Sequence, residues 1–123
     1  MAIFIDESFT TKVIASHSTK TVSALWVLTS IGNHKPYIVC SIYHPPGADQ
    51  DTTLVNISST ILKLSKRHGN AQLLICGDFN RLPVDELATQ FGLSNVVNFN
   101  TREDAMLDLI LTDISSYKSC EKL

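Results

Sequence analysis

With 123 residues the chain is at most one small domain, and its 44% apolar content is enough to form a core. The net charge of −2 excludes a broad electrostatic pull toward nucleic acid, so any DNA or RNA contact must rest on a local group of Lys or Arg. No apolar run approaches the length of a membrane-spanning helix, and the opening "MAIFIDESF" lacks the basic region and long apolar core of a secretory signal. Cys40, Cys76 and Cys120 have no metal-ligand spacing and read as small hydrophobes in a reducing compartment. The expected location is therefore nuclear or cytoplasmic.

Along the chain, "AIFI" (2–5) reads as a short apolar strand. "VSALWVLTSI" (22–31) alternates and is rich in β-branched and aromatic residues, so it too predicts a strand. Gly32 and Asn33 suit a turn, and "YIVCSIY" (37–43) returns as the second arm of an antiparallel hairpin. The prolines of "HPPG" stop that strand, since proline cannot sit in a central ladder. From Thr53 to His68, Leu54, Ile57, Ile61 and Leu64 recur at helical spacing. Asp51 or Thr52 suits the cap of that helix, and Lys63, Lys66, Arg67 and His68 suit its carboxyl end. The same basic cluster has a second reading as a nucleic-acid patch, but a solvated helix end explains it more simply. "QLLIC" (72–76) is a strand covered on both faces, "VDELATQFG" a brief helix closed by Gly92, and "VVNF" a short strand. "MLDLILT" (106–112) is the last strand, and 114–123 is a tail.

Three polar residues are oddly placed. Asp78 and Asn80 follow a buried strand in "LLICGDFNRLP", and Asp108 interrupts another. A carboxylate within an apolar strand is costly unless it is paired or hydrogen-bonded. Each has a bland explanation: an Asx-turn for Asp78 and Asn80, and a solvent-facing position on an edge strand for Asp108.

The ordered set is far more specific than any single piece. "IVCSIYHPPG", an amphipathic helix, "LLICGDFNRLP", "FGLSNVV", "NTRE" and "MLDLILT" follow one another at the expected places between elements. This order resembles the endonuclease/exonuclease/phosphatase superfamily. Within it, the chain looks like the apurinic/apyrimidinic-type endonuclease domain of non-LTR retrotransposons, from about Ala2 to Asp113. The resemblance implies an α/β (α+β) fold of two packed sheets flanked by helices, a four-layer αββα sandwich. Residues 1–113 would form part of it. It also implies metal-assisted attack of water on a phosphodiester in DNA, with Mg²⁺ or alternatively Mn²⁺ as cofactor. A longer parent would carry a reverse transcriptase domain.

By the same resemblance, Asp78 stands beside the attacking water and contributes to metal binding. Asn80 orients the phosphate, and Tyr43 places its hydroxyl near it. Asp108 holds a catalytic histidine in its useful tautomer. Arg102 contacts a backbone phosphate or, equally well, forms a surface ion pair with Glu103 or Asp104. The pattern departs from the family in three ways. The family's metal-binding Glu lies upstream of the segment matching "AIFI", so Glu7 is not its counterpart. The family's Ser-Asp-His motif after the Leu-Asp strand has no match, and His17, His34, His44 and His68 are in other places. His44 itself stands where relatives often carry Arg. The expectation is about half of a domain, impaired in catalysis when alone. The alternatives are a non-catalytic retrotransposon remnant and a fragment that binds a partner through an open sheet edge or face.

Overall fold

The computed structural model of the chain describes residues 2–103 and 105–114. The tail beyond Ile114, with Cys120, and Asp104 as a partner for Arg102 lie outside them. A six-stranded mixed sheet carries two helices. The strands are β1 (Thr10–Ser18), β2 (Ser23–Ser30), β3 (Tyr37–Tyr43), β4 (Gln72–Asp78), β5 (Ser94–Asn95) and β6 (Asp108–Thr112), and the helices are α1 (Gln50–Arg67) and α2 (Asp85–Phe91). Across the sheet the order is β1-β2-β3-β4-β6-β5. Among the described residues only β3 and β4 run parallel, joined by the crossover helix α1, and the other pairs are antiparallel. No described helix is long and apolar enough to cross a membrane.

The expected hairpin is β2–β3, with Gly32 at φ 53° in its turn. Residues 2–5 form no strand. Instead, Ile3, Phe4 and Ile5 line a cleft with Val39 and Leu74 on the sheet face away from α1. Ile3 and Ile5 are half-buried there, whereas Phe4 is exposed. β1 has no apolar run to betray it. As an edge strand it pairs with β2 alone, leaves Thr10 to Val13 exposed, and is kinked by a bulge between Val13 and Ala15. "VVNF" is likewise not a strand: β5 is Ser94–Asn95. The Val96 N–H still bonds the Ile110 carbonyl at 3.0 Å, and Val96 and Val97 are buried.

The core lies between α1 and one face of the sheet. Ala24 and Trp26 of β2, Ile38, Cys40 and Ile42 of β3, Leu73 and Ile75 of β4, and Leu109 and Leu111 of β6 occupy matched register positions. They therefore share one face, and Ile57, Ile61 and Leu64 of α1 join them in the same cluster. Burial pushes the Cys40 thiol well up, with a smaller contribution from Cys76, so Cys40 packs as a hydrophobe rather than acting as a nucleophile. Ile57 is fully buried, so Ile57→Ala should destabilise the chain by about 2–5 kcal/mol, read as a lower urea midpoint.

α1 starts three residues earlier than its apolar spacing suggests, because Asp49 is the cap. Its carboxylate accepts from the Thr52 backbone N–H at 2.9 Å and from the Thr52 hydroxyl. The bond from the Thr52 side chain, then that from its backbone, holds the Asp49 carboxyl below its usual 3.8. A group depressed in the folded state stabilises the fold above its unfolded value and loses that effect as pH falls through the folded one. The difference in thermal midpoint between wild type and Asp49→Ala should therefore narrow as pH drops below 3.8.

Candidate active site

The crossover geometry decides where the polar residues meet. Parallel β3 and β4 end on the same side of the sheet, and antiparallel β6 begins there. Tyr43 is the register partner of Asp78, and Asp78 is the partner of Asp108. Partners in register point to the same face, so the three side chains stand in a row about 10 Å long, two strand spacings. Asp78 and Asp108 line the mouth of an open cleft of about 340 Å³ with Val97, Phe99 and Thr101.

Asp78 is fully engaged. Its Oδ1 accepts from the Asn80 backbone N–H at 3.0 Å, the Asx-turn expected of the bland reading. Its Oδ2 accepts from Arg102 Nη2 at 2.6 Å. The same Nη2 lies 3.7 Å from Asp108 Oδ1. Like charges on neighbouring strands repel, and the Arg102 guanidinium offsets that repulsion by bridging the two carboxylates. Of the two sequence neighbours proposed as its partners, Asp104 lies outside the described residues, and no ion pair joins Arg102 to Glu103 among the described residues. Asp108 is half-exposed, which explains how a carboxylate is tolerated in an apolar strand.

Arg102 is held over the pair by a tight loop. Thr101 and Arg102 N–H both donate to the Ala105 carbonyl, and Ala105 N–H donates back to Arg102. The Thr101 hydroxyl accepts from the backbone N–H of Leu107 and of Asp108, clamping the loop to the start of β6. Sequence reasoning assigned Thr101 no role, although a Thr just before the Arg and seven residues ahead of an Asp was the available signal.

Asn80 has a left-handed backbone, φ 50°, a conformation that asparagine tolerates better than most residues. Its Nδ2 donates to the His44 carbonyl at 2.5 Å. The second amide hydrogen has no partner among the described residues and is available to an incoming oxyanion. His44 was passed over as misplaced, yet it joins the site's elements together. Its N–H donates to the Asp78 carbonyl at 2.9 Å, while its buried ring meets the Thr21 carbonyl and Thr53 hydroxyl through Nδ1 at 3.0 and 2.9 Å.

Among the described residues, no three His, Cys, Asp or Glu side chains gather as a metal site. The donors present are nonetheless hard oxygens: two carboxylates on adjacent strands. Mg²⁺ commonly takes one or two carboxylates and completes its shell with waters and substrate phosphate, so this donor chemistry fits it. Arg102 competes for the same oxygens. Arg102→Gln should therefore tighten Mg²⁺ binding up to about fivefold, the weight of a partly exposed ion pair, as read by calorimetric titration.

No protein-family model matches the sequence, and no curated protein matches it.

Proposed function

We propose that the chain is part of an endonuclease/exonuclease/phosphatase-type domain, resembling the endonuclease of non-LTR retrotransposons, and that it hydrolyses phosphodiester bonds in DNA. One observation carries this reading: residues from four separate sequence motifs, Tyr43, Asp78 with Asn80, Arg102 and Asp108, converge at one end of the sheet. A chance set of turn residues has no reason to do so. The finer αββα architecture is supported by the sheet face opposite α1. There Leu25, Val39, Leu74, Cys76 and Ile110 are only half-buried, the place a second sheet would pack.

In this proposal the Asp78 carboxylate holds the attacking water and takes its proton as the oxygen bonds to phosphorus. Asn80 Nδ2 and the Tyr43 hydroxyl donate to the phosphate oxygens, where negative charge grows before the bond to the leaving oxygen breaks. Arg102 turns from the carboxylate pair to a phosphate. Bound Mg²⁺, or Mn²⁺ in its place, would be held by Asp78 and would supply neutralisation of phosphate charge.

Cleavage of a duplex oligonucleotide in Mg²⁺ but not in EDTA tests the reaction. An equal or faster release of phosphate from nucleotide monophosphates would move the substrate class to small molecules. A second, non-catalytic reading is favoured by one contact. Asp108 pairs with Arg102, and none of the four histidines pairs with it. A folded chain that leaves the duplex intact would select that reading.

A further inference from the structure

The charges of the chain are segregated. Between Ser8 and Gly77 the only acidic residues are Asp49 and Asp51, while Lys12, Lys20, Lys35, Lys63, Lys66 and Arg67 fall in the same span. That span builds β1, β2, β3, α1 and nearly all of β4. Asp49 and Asp51 sit at the start of α1, so its finishing end is left with cations.

The register brings three of them together. β1 and β3 start at the same end of the sheet, since Thr10 pairs with Ser30 and Tyr37 with Thr29. α1 finishes at that end too, because β4 starts there, with Gln72 opposite Tyr37. Lys12 is the partner of Leu28, which packs on the core, so Lys12 lies on the α1 side of β1. His17, on the same side, meets Thr60 of α1, with Nε2 and Oγ1 3.3 Å apart, and this contact fixes α1 alongside β1. Helical spacing puts Lys63 and Arg67 on the side of α1 that carries Thr60. From that contact Arg67 lies about 10 Å further down the helix, and Lys12 about 16 Å down the strand. Lys12, Lys63 and Arg67 thus line one seam between β1 and α1. All three are exposed, and among the described residues no carboxylate pairs with any of them. Asp6 and Glu7 precede β1, but Asp6 lines the cleft on the other sheet face. The helix macrodipole accounts for Lys66 and Arg67. It gives no reason for Lys12 on a neighbouring strand.

The lining chemistry selects the partner. Cations in line and free of carboxylates match a row of phosphates. Among the described residues no large exposed apolar side chain lines the seam. Val55 and Leu62 stand on the outer side of α1, and Phe4, Val13 and Tyr43 on the other face of the sheet. Single-stranded nucleic acid is held by aromatic platforms for its bases, and a membrane surface takes up an apolar face. A duplex needs only cations for its backbone.

We propose that this seam binds the phosphate backbone of duplex DNA without reading its sequence. The length of β4 separates this end from Asp78 by about 20 Å, and the seam lies on the other side of the sheet. It therefore holds a segment of duplex other than one at the carboxylates, and it does not depend on the nuclease reading.

The test is the fluorescence anisotropy of a short labelled duplex titrated with the full chain in EDTA, over a range of KCl. Each phosphate neutralised adds about −0.9 to the slope of log K against log salt. The triple variant Lys12→Gln, Lys63→Gln, Arg67→Gln is expected to flatten the slope by about 2.7, and each single variant by about 0.9. All three positions are exposed, so circular dichroism should show the variants folded. Lys20→Gln, at the other end of β1, removes the same charge and should leave the slope unchanged. A triple variant with the wild-type slope, or no duplex binding in low salt, overturns the proposal. So does an equal effect of Lys20→Gln, which would be a response to net charge. Tighter binding to vesicles of phosphatidylserine in phosphatidylcholine than to the duplex, lost in the triple variant, also overturns it and moves the partner to lipid. The outcome is separable from catalysis. A chain that binds duplex through the seam without cutting it in Mg²⁺ keeps this surface and loses the nuclease, and cutting with an unchanged triple variant does the reverse.

Discussion

Gly77→Val is expected to abolish cooperative folding, and Gly77→Ala to cost about 3 kcal/mol or more in urea denaturation. Gly77 sits in β4 at φ 150°, opposite Ile42 of β3. A Cβ there would lie 1.9 Å from the Ile42 carbonyl oxygen and 2.9 Å from the Ile42 nitrogen and carbonyl carbon. These are backbone atoms of the central parallel pair, so no side chain can rotate to make room. Relief requires β3 and β4 to separate, which also separates Tyr43 from Asp78. Small domains hold only about 5–15 kcal/mol in reserve, and valine adds branching to the same clash. The glycine before Asp78 is thus explained by close approach of strands, independently of any chemistry. If Gly77→Ala melts within experimental error of wild type, the packing of this strand pair is misdescribed.

Asp78→Ala is expected to lower metal-dependent DNA cutting by about 10²-fold or more, the usual contribution of a positioned general base. The same change removes the acceptor of the Asn80 turn and of Arg102, so it also releases the two neighbouring groups. The double variant Asp78→Ala with Asn80→Ala should therefore be little worse than Asp78→Ala alone, because groups that act as a unit do not fail additively. Circular dichroism should show both variants folded, since Asp78 lies at a strand end and is outside the core cluster. Fully additive losses would mean that Asp78 and Asn80 work separately.

The central elements could be read from the sequence because their burial leaves long-range marks in it. β3 and β4 are apolar runs, and α1 repeats its apolar face at Ile57, Ile61 and Leu64. β1 could not be read, since an exposed edge strand needs no apolar alternation. Ala2 to Ile5 misled for the opposite reason: a short apolar run looks like a strand, but only Ile3 and Ile5 are half-buried and none of the four pairs in the described sheet. Asp78, Asn80 and Asp108 stood out as polar residues in apolar settings, whereas Tyr43 was singled out only through the family resemblance. The pairing of Arg102 with Asp78 and Asp108 depends on the β4–β6 register and on the loop clamped by Thr101, neither of which local sequence encodes. His44 was hidden in the same way. Its partners Thr21, Thr53 and Asn80 are scattered along the chain and meet only when α1 crosses the sheet.

The most direct test of the site's assignment is nicking of supercoiled plasmid by the purified chain in Mg²⁺, in EDTA, and as Asp78→Ala. The account predicts slow nicking that needs both the metal and Asp78. No nicking by a chain shown to be folded, or nicking that survives Asp78→Ala, would contradict it.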